Sequence, residues 1–181
     1  ILGQMTPLGR VIPAAFLLAL GLAEVPAPSR PVGTTSFAVL PLVVGETGLP
    51  HAIRPSAAER AALADQLVRE AARARPLRAV AEARVARAVA AAGFDQEAAY
   101  RACDDAACAR RIGRTLGVHA VVFGSVTRYM ALIWGMDVSV VDVRTGTVTG
   151  PFSLGYKGDY AALYAGEDDL SLAVAHTLTA R

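Results

Sequence analysis

Cysteine, lysine and histidine are all scarce in this chain. Two cysteines among 181 residues allow one bridge and exclude a small scaffold built on disulfides. Lysine occurs once, at Lys157, so arginine supplies 17 of the 18 basic charges. That bias runs along the whole chain and reads as genome composition. A net charge of +2 announces no nucleic-acid partner. The three histidines, His51, His119 and His176, lie in separate segments without His-x-x-x-His or Cys-x-x-Cys spacing. A metal site needs converging ligands, and none is expected here. Aromatic residues are 6% of the chain and do not interleave with basic ones, so stacking on a single strand is unsupported. Gly-x-Ser-x-Gly and a phosphate-binding glycine loop are missing too, so Ser125 after Gly124 lacks the frame that exposes a nucleophile. We expect no catalytic residue and no cofactor.

What is abundant is apolar. The chain is 54% hydrophobic with a mean hydropathy of +0.39, which excludes a disordered or collagen-like chain. Part of that content is local. Arg10 is the only charge before the run Val11–Ala23, and Glu24 ends it. Thirteen residues fall short of the roughly 20 that span a bilayer. Gly21-Leu22-Ala23 offers small residues where a signal peptidase reads. Residues 1–23 are therefore expected to be an export signal, with an uncleaved anchor or a buried helix as the other readings. Residues 24–35 hold Pro26, Pro28 and Pro31 among small residues and form a linker. Residues 36–181 remain as one α/β domain expected in the periplasm.

Within that domain Ser36 to Val44 reads as a buried strand in which Pro41 marks an edge or bulge. Gly45 to Pro55 reads as a loop. Ser56 and Glu59 form a capping box for a helix that presents Leu63, Leu67 and Ala71 inward and Arg60, Asp65, Arg69 and Arg73 outward. Pro76 stops it. Leu77 to Val80 is a short strand, and a second helix from about Ala81 carries Val85, Val89 and Ala92 to Gly93. A third helix from about Asp105 aligns Cys108, Ile112 and Leu116 before Gly117. Three strands follow, Val118 to Tyr129, Ile133 to Val143 and Thr147 to Tyr156, the last two joined through the turn chemistry of residues 142–146. A final helix after Asp159 spaces Leu163, Leu170, Val174 and Leu178. The order β-α-β-α-α-β-β-β-α predicts one mixed sheet in an α/β sandwich.

The run Cys103-Asp104-Asp105-Ala106-Ala107-Cys108-Ala109-Arg110-Arg111-Ile112-Gly113, continued by Leu116-Gly117-Val118-His119-Ala120-Val121-Val122-Phe123-Gly124-Ser125-Val126, resembles periplasmic domains related to the TolB N-terminal domain and the curli-secretion lipoprotein. Its continuation through Met130-Ala131-Leu132-Ile133 to Asp142-Val143-Arg144-Thr145-Gly146 is similar to a proteobacterial family of exported proteins whose domain has no assigned function. The chain departs from the lipoproteins in having no lipid-attachment Cys after the apolar run. It departs from the family in having Ser125 where Trp is frequent. The resemblance implies an envelope-located binding or accessory domain and carries over no catalytic residue.

Cys103 and Cys108 are the most informative pair. On one continuous helix five residues would set them about 140° apart, so a bridge requires the chain to turn before the helix begins. Asp104 or Asp105 can cap such a helix. A structural disulfide is the leading reading, with two reduced thiols, or redox or metal chemistry, as the others. Arg101, Arg110, Arg111 and Arg114 form a basic face that is either solvated or able to meet anionic lipid or an acidic partner. His119, in an apolar strand, is expected to be a satisfied buried histidine. Tyr129, Met130, Leu132, Ile133, Trp134 and Met136 form the densest apolar cluster, and alternation cannot bury all of them on one face. Tyr129, Met130 and Trp134, if exposed together, would mark a partner-binding surface. The expected function is non-catalytic binding of another envelope protein or membrane-associated component. The alternative is a small-molecule or lipid-binding module with a pocket between the sheet and the terminal helix.

Overall fold

The structure, a computed structural model, describes residues 34–45, 54–73, 77–96 and 102–180. The proposed export signal, most of the linker, His51 and Arg101 lie outside the described residues. In chain order the elements are β1 (Thr35–Val39), β2 (Val43–Val44), α1 (Ala57–Arg73), β3 (Leu77–Ala79), α2 (Glu82–Ala91), α3 (Ala106–Leu116), β4 (Ala120–Met130), β5 (Ile133–Asp142), β6 (Val148–Lys157), α4 (Tyr160–Gly166) and α5 (Asp168–Thr179). They build a single mixed sheet in the order β3-β1-β4-β5-β6, with β2 also pairing β4. β1 runs parallel to β3 and β4, which needs helical crossovers. β4, β5 and β6 are antiparallel neighbours, joined by short turns.

The predicted order holds, with two refinements. The strand expected over residues 36–44 is interrupted at residues 40–42, where Pro41 has no N–H to give the ladder. The chain nevertheless stays on β4: Leu40 N donates to Val122 O at 2.9 Å and Gly45 N to Val126 O at 2.9 Å. The single terminal helix is two helices. It breaks between Gly166 and Asp168, with Glu167 buried at the junction.

Period-two alternation divides the strands between two cores. On one face Phe37, Val122, Val126, Trp134, Met136 and Val138 pack under α1, α4 and α5. On the other, Leu40, Val121, Phe123 and Val141 pack under α2 and α3 through Val85, Val89, Ile112 and Leu116. The helices of this second face stop short of the far ends of β4–β6, where Asp137, Ser139 and Ser153 are partly or fully exposed.

The capping box forms as read: Ser56 N donates to Glu59 Oε2 at 2.8 Å, and Glu59 N to Ser56 Oγ at 3.2 Å. Arg60 corrects its expected outward position. It is 3% exposed, its Nε donating to Leu42 O at 2.9 Å and Nη1 to Pro55 O at 2.8 Å. Buried backbone carbonyls require donors, and the segment interrupted at Pro41 places Leu42 O within reach of this side chain.

Candidate functional site

The β4–β5 hairpin ends in a turn with Met130 paired to Ile133. Tyr129 is 38% exposed, Met130 60%, Leu132 55% and Ile133 38%. Of six large apolar side chains exposed among the described residues, these are four. Trp134 does not join them. It is 1% exposed, which corrects the expectation that it could share their surface. Its even position on β5, with Met136 and Val138, turns it toward the α4 side, where Tyr160 meets it at 5.9 Å between ring centres. The Arg128 guanidinium closes over the same ring at 4.7 Å. Tyr129 lies across Gly135, where a Cβ would stand 3.0 Å from its ring. A shallow groove of about 410 Å³ continues from Tyr129 and Ile133 along the open sheet face to Lys157.

The predicted basic face is divided by the structure. Arg110 is committed to the β5–β6 turn, its Nε donating to Val143 O at 2.9 Å and Nη2 to Arg144 O at 2.7 Å. It is a turn clamp rather than an open surface cation. Arg111 stacks over Phe94 at 4.7 Å, and Arg111 and Arg114 are exposed. Neither lies on the hairpin tip. His119 is exposed rather than buried. It sits just ahead of β4, where its Nδ1 accepts from Ser36 N at 3.1 Å and lies 2.9 Å from Ser36 Oγ.

Cys103 and Cys108 are bridged, with Cα atoms 5.6 Å apart. The chain turns at Asp105, whose side chain accepts from Cys108 N at 2.7 Å and caps α3. Both cysteines are buried in the core under α2 and α3. Gln96 ties the same region to the break at Pro41, accepting from Cys103 N at 2.6 Å and donating to Pro41 O at 2.8 Å. The bridge is a fastening of this helix layer. Closing so short a loop stabilises by about 2 kcal/mol in the chain-entropy model. Reductant is therefore expected to lower the unfolding free energy in urea by that amount without unfolding the domain, and a loss of all structure on reduction would contradict it.

Two further concavities flank the sheet. A cleft of about 540 Å³ opens at the carboxyl ends of β1 and β3, lined by Val39, Leu42, Arg60, Ala64, Val68 and Val85 among others. After β1 the chain passes to α1 on one face, and after β3 to α2 on the other. Such divergence leaves a crevice. A polar groove of about 280 Å³ on the opposite core face includes Arg54, Asp104, Ser125, Asp137 and Ser139. Asp137 there accepts from Ser153 Oγ at 2.5 Å. Among the described residues no group of three or more His, Cys, Asp and Glu could hold a metal ion. No described helix is long and apolar enough to cross a membrane.

Residues 35–165 match the family DUF3280, described as a protein of unknown function (DUF2380). No curated protein matches the chain. Among solved structures it is similar to lipoprotein GNA1162 from Neisseria meningitidis, at 16% identity and a TM-score of 0.53, over 81% of this chain and 97% of that one. It is also similar to the LpoB C-terminal domain from Salmonella enterica, at 14% identity and a TM-score of 0.46, over 70% and 83% of the two chains. A third is the PelC dodecamer from Paraburkholderia phytofirmans, at 14% identity and a TM-score of 0.43, over 85% and 93%. At these identities the Neisseria likeness establishes the fold alone.

Proposed function

The chain belongs to this family of unknown function, and we propose that it is an exported, non-catalytic accessory protein that binds another component of the cell envelope through the β4–β5 hairpin tip. The observation that carries the reading is the concentration of Tyr129, Met130, Leu132 and Ile133 at one exposed end, because contiguous apolar surface marks interaction sites. The periplasmic address draws support from the bridged cysteines, which suit an oxidising compartment. It draws support also from the Neisseria protein of like fold, which is a lipoprotein. The kinship with TolB N-terminal and curli-secretion domains implied by residues 100–148 belongs to the same proposal.

A photocrosslinking residue at Met130 is expected to capture an envelope component in the native envelope. The double variant Met130→Glu/Leu132→Glu should reduce capture by that component at least tenfold when probed from a crosslinker at Tyr129. Stability should change by no more than about 0.5 kcal/mol, since both side chains are surface positions. Absence of any capture, of protein or of lipid, would sink the reading. The apolar cleft between α1 and α2 favours a second reading, a small-molecule-binding module, its pocket lying there rather than against the terminal helix. That reading requires a small molecule retained through purification and lost on Ala64→Phe.

A further inference from the structure

We infer that the component the hairpin tip meets is an anionic lipid surface, an inference that rests on the tip being the binding site. Three features of the tip point to a bilayer interface. The first is shape. The four side chains project from a hairpin end, and a lipid interface accepts such an apolar projection without a matching pocket. The second is the satisfaction of the turn's own carbonyls. Ala131 O accepts from Arg128 Nη2 at 3.0 Å, and Leu132 O accepts from Gly158 N at 2.9 Å. Backbone polar groups entering a dry medium must be paired internally, and these two are paired before any contact is made.

The third feature is charge. Arg128 stands on the strand at the base of the tip, half-exposed above Trp134. Lys157, the chain's single lysine, is exposed beside Ile133 in the register of β5 and β6. Of the nearby carboxylates, Asp159 caps α4 through Ala162 N at 2.9 Å, and Asp137 lies farther from the tip along the same groove, four residues beyond Ile133 on β5, where it accepts from Ser153 Oγ. An apolar tip with an aromatic residue and two cations at its base matches the layering of acyl chain, interface and phosphate. Tyr129 suits the headgroup level, and Met130 and Leu132 reach past it.

Trp134 is the only tryptophan and follows Ile133 at the base of the tip, so its fluorescence reports immersion of this end of the sheet. The full chain is mixed with vesicles of phosphatidylethanolamine and phosphatidylglycerol, or of phosphatidylcholine alone, each with and without brominated acyl chains. Anionic vesicles are expected to bind more tightly than neutral ones, with binding weakened by salt. Brominated anionic lipid should quench Trp134. Met130→Glu/Leu132→Glu should reduce the quenching at least tenfold with an unchanged circular dichroism spectrum, and Lys157→Glu should remove the preference for anionic lipid. Unquenched Trp134, or quenching equal in the double variant, overturns the lipid assignment. If quenching is absent while the Met130 crosslinker captures a protein, the lipid inference falls and the envelope-binding reading stands. If neither occurs, both fall.

Discussion

Glu167→Gln is expected to abolish most of a pH dependence in which the native domain loses stability as pH rises from about 5 to 8. Glu167 is fully buried at the α4–α5 junction. Its carboxyl is pushed up from 4.5 to about 8 by burial first, then by Asp168 and Glu70, with Arg69 opposing. Neither carboxyl oxygen has a hydrogen-bond partner among the described residues, nor do Gln66 Oε1 and Ser171 Oγ in the same α1–α5 contact. In the unfolded chain the group ionises near 4.5, whereas in the native state it keeps its proton to about 8. Between those values the unfolded state binds fewer protons, so stability declines with rising pH. It is full below the lower value and flat above the upper. Over the roughly 3.5 pH units between them, at about 1.4 kcal/mol per unit, the decline amounts to about 5 kcal/mol as an order of magnitude. The groups facing the site from α1, α4 and α5 include Asp65, Arg69, Glu70, Tyr160, Tyr164 and Asp168.

Urea midpoints at pH 5, 6.5 and 8.5 test this directly. The native chain should weaken steadily across the series, whereas Glu167→Gln should change little and be the more stable of the two at pH 8.5. A variant that keeps the native slope would assign the pH dependence to another group. The consequence is local to the layer that covers Trp134. Tyr160 and Tyr164 hold α4 to α1 through Tyr160 Oη donating to Glu59 O at 3.1 Å and Arg69 Nη2 donating to Tyr164 Oη at 2.5 Å. Charging Glu167 is therefore expected to loosen the element on which the tryptophan rests.

The sheet and its helices were legible because their periods are unambiguous. Leu63, Leu67 and Ala71 occupy one helical stripe, and Val121 to Val126 and Met136 to Val141 read as strands. The likeness of residues 100–148 to a family without assigned function agrees with the family that residues 35–165 match. The turn before α3 was legible as a requirement of the Cys103–Cys108 bridge, and Asp105 supplies it. The errors have physical causes. Arg60 stands three residues before Leu63, on the buried stripe, but a guanidinium was assigned to solvent by its charge. Only the interruption near Pro41 reveals the carbonyl it serves. Glu167 precedes Asp168 and Asp169 in an acidic run with no apolar spacing of its own to mark it as buried. The apolar spacing from Leu163 to Leu178 runs through the junction and conceals the helix break that buries it. The apolar cluster at residues 129–136 was visible as a cluster. Which members stay exposed depends on where the covering helices end, and that is set by packing across the sheet.

Trp134→Ala is expected to destabilise the domain by about 3–5 kcal/mol, the range for removing a buried large aromatic, whereas Trp134→Phe should cost far less. The difference follows from two properties of the site. The ring fills the space between β5 and α4, 1% exposed, with Tyr160 against it and Arg128 above it, so truncation leaves a cavity and removes both partners. Its Nε1, however, has no hydrogen-bond partner among the described residues. Replacing the indole by a phenyl ring therefore sacrifices volume but no hydrogen bond, and it relieves a buried donor left unpaired. About 1–2 kcal/mol is the expected cost. Thermal or urea unfolding of the two variants decides the matter, and a Phe variant as unstable as the Ala variant would show that Nε1 is bonded in solution. The same pair separates support from contact at the tip. Trp134→Phe preserves the floor beneath Arg128 and should keep capture from Met130, while Trp134→Ala removes the ring that Arg128 covers and should weaken capture even where the domain remains folded. Equal capture by both would mean that Tyr129, Met130, Leu132 and Ile133 hold their positions without the buried ring.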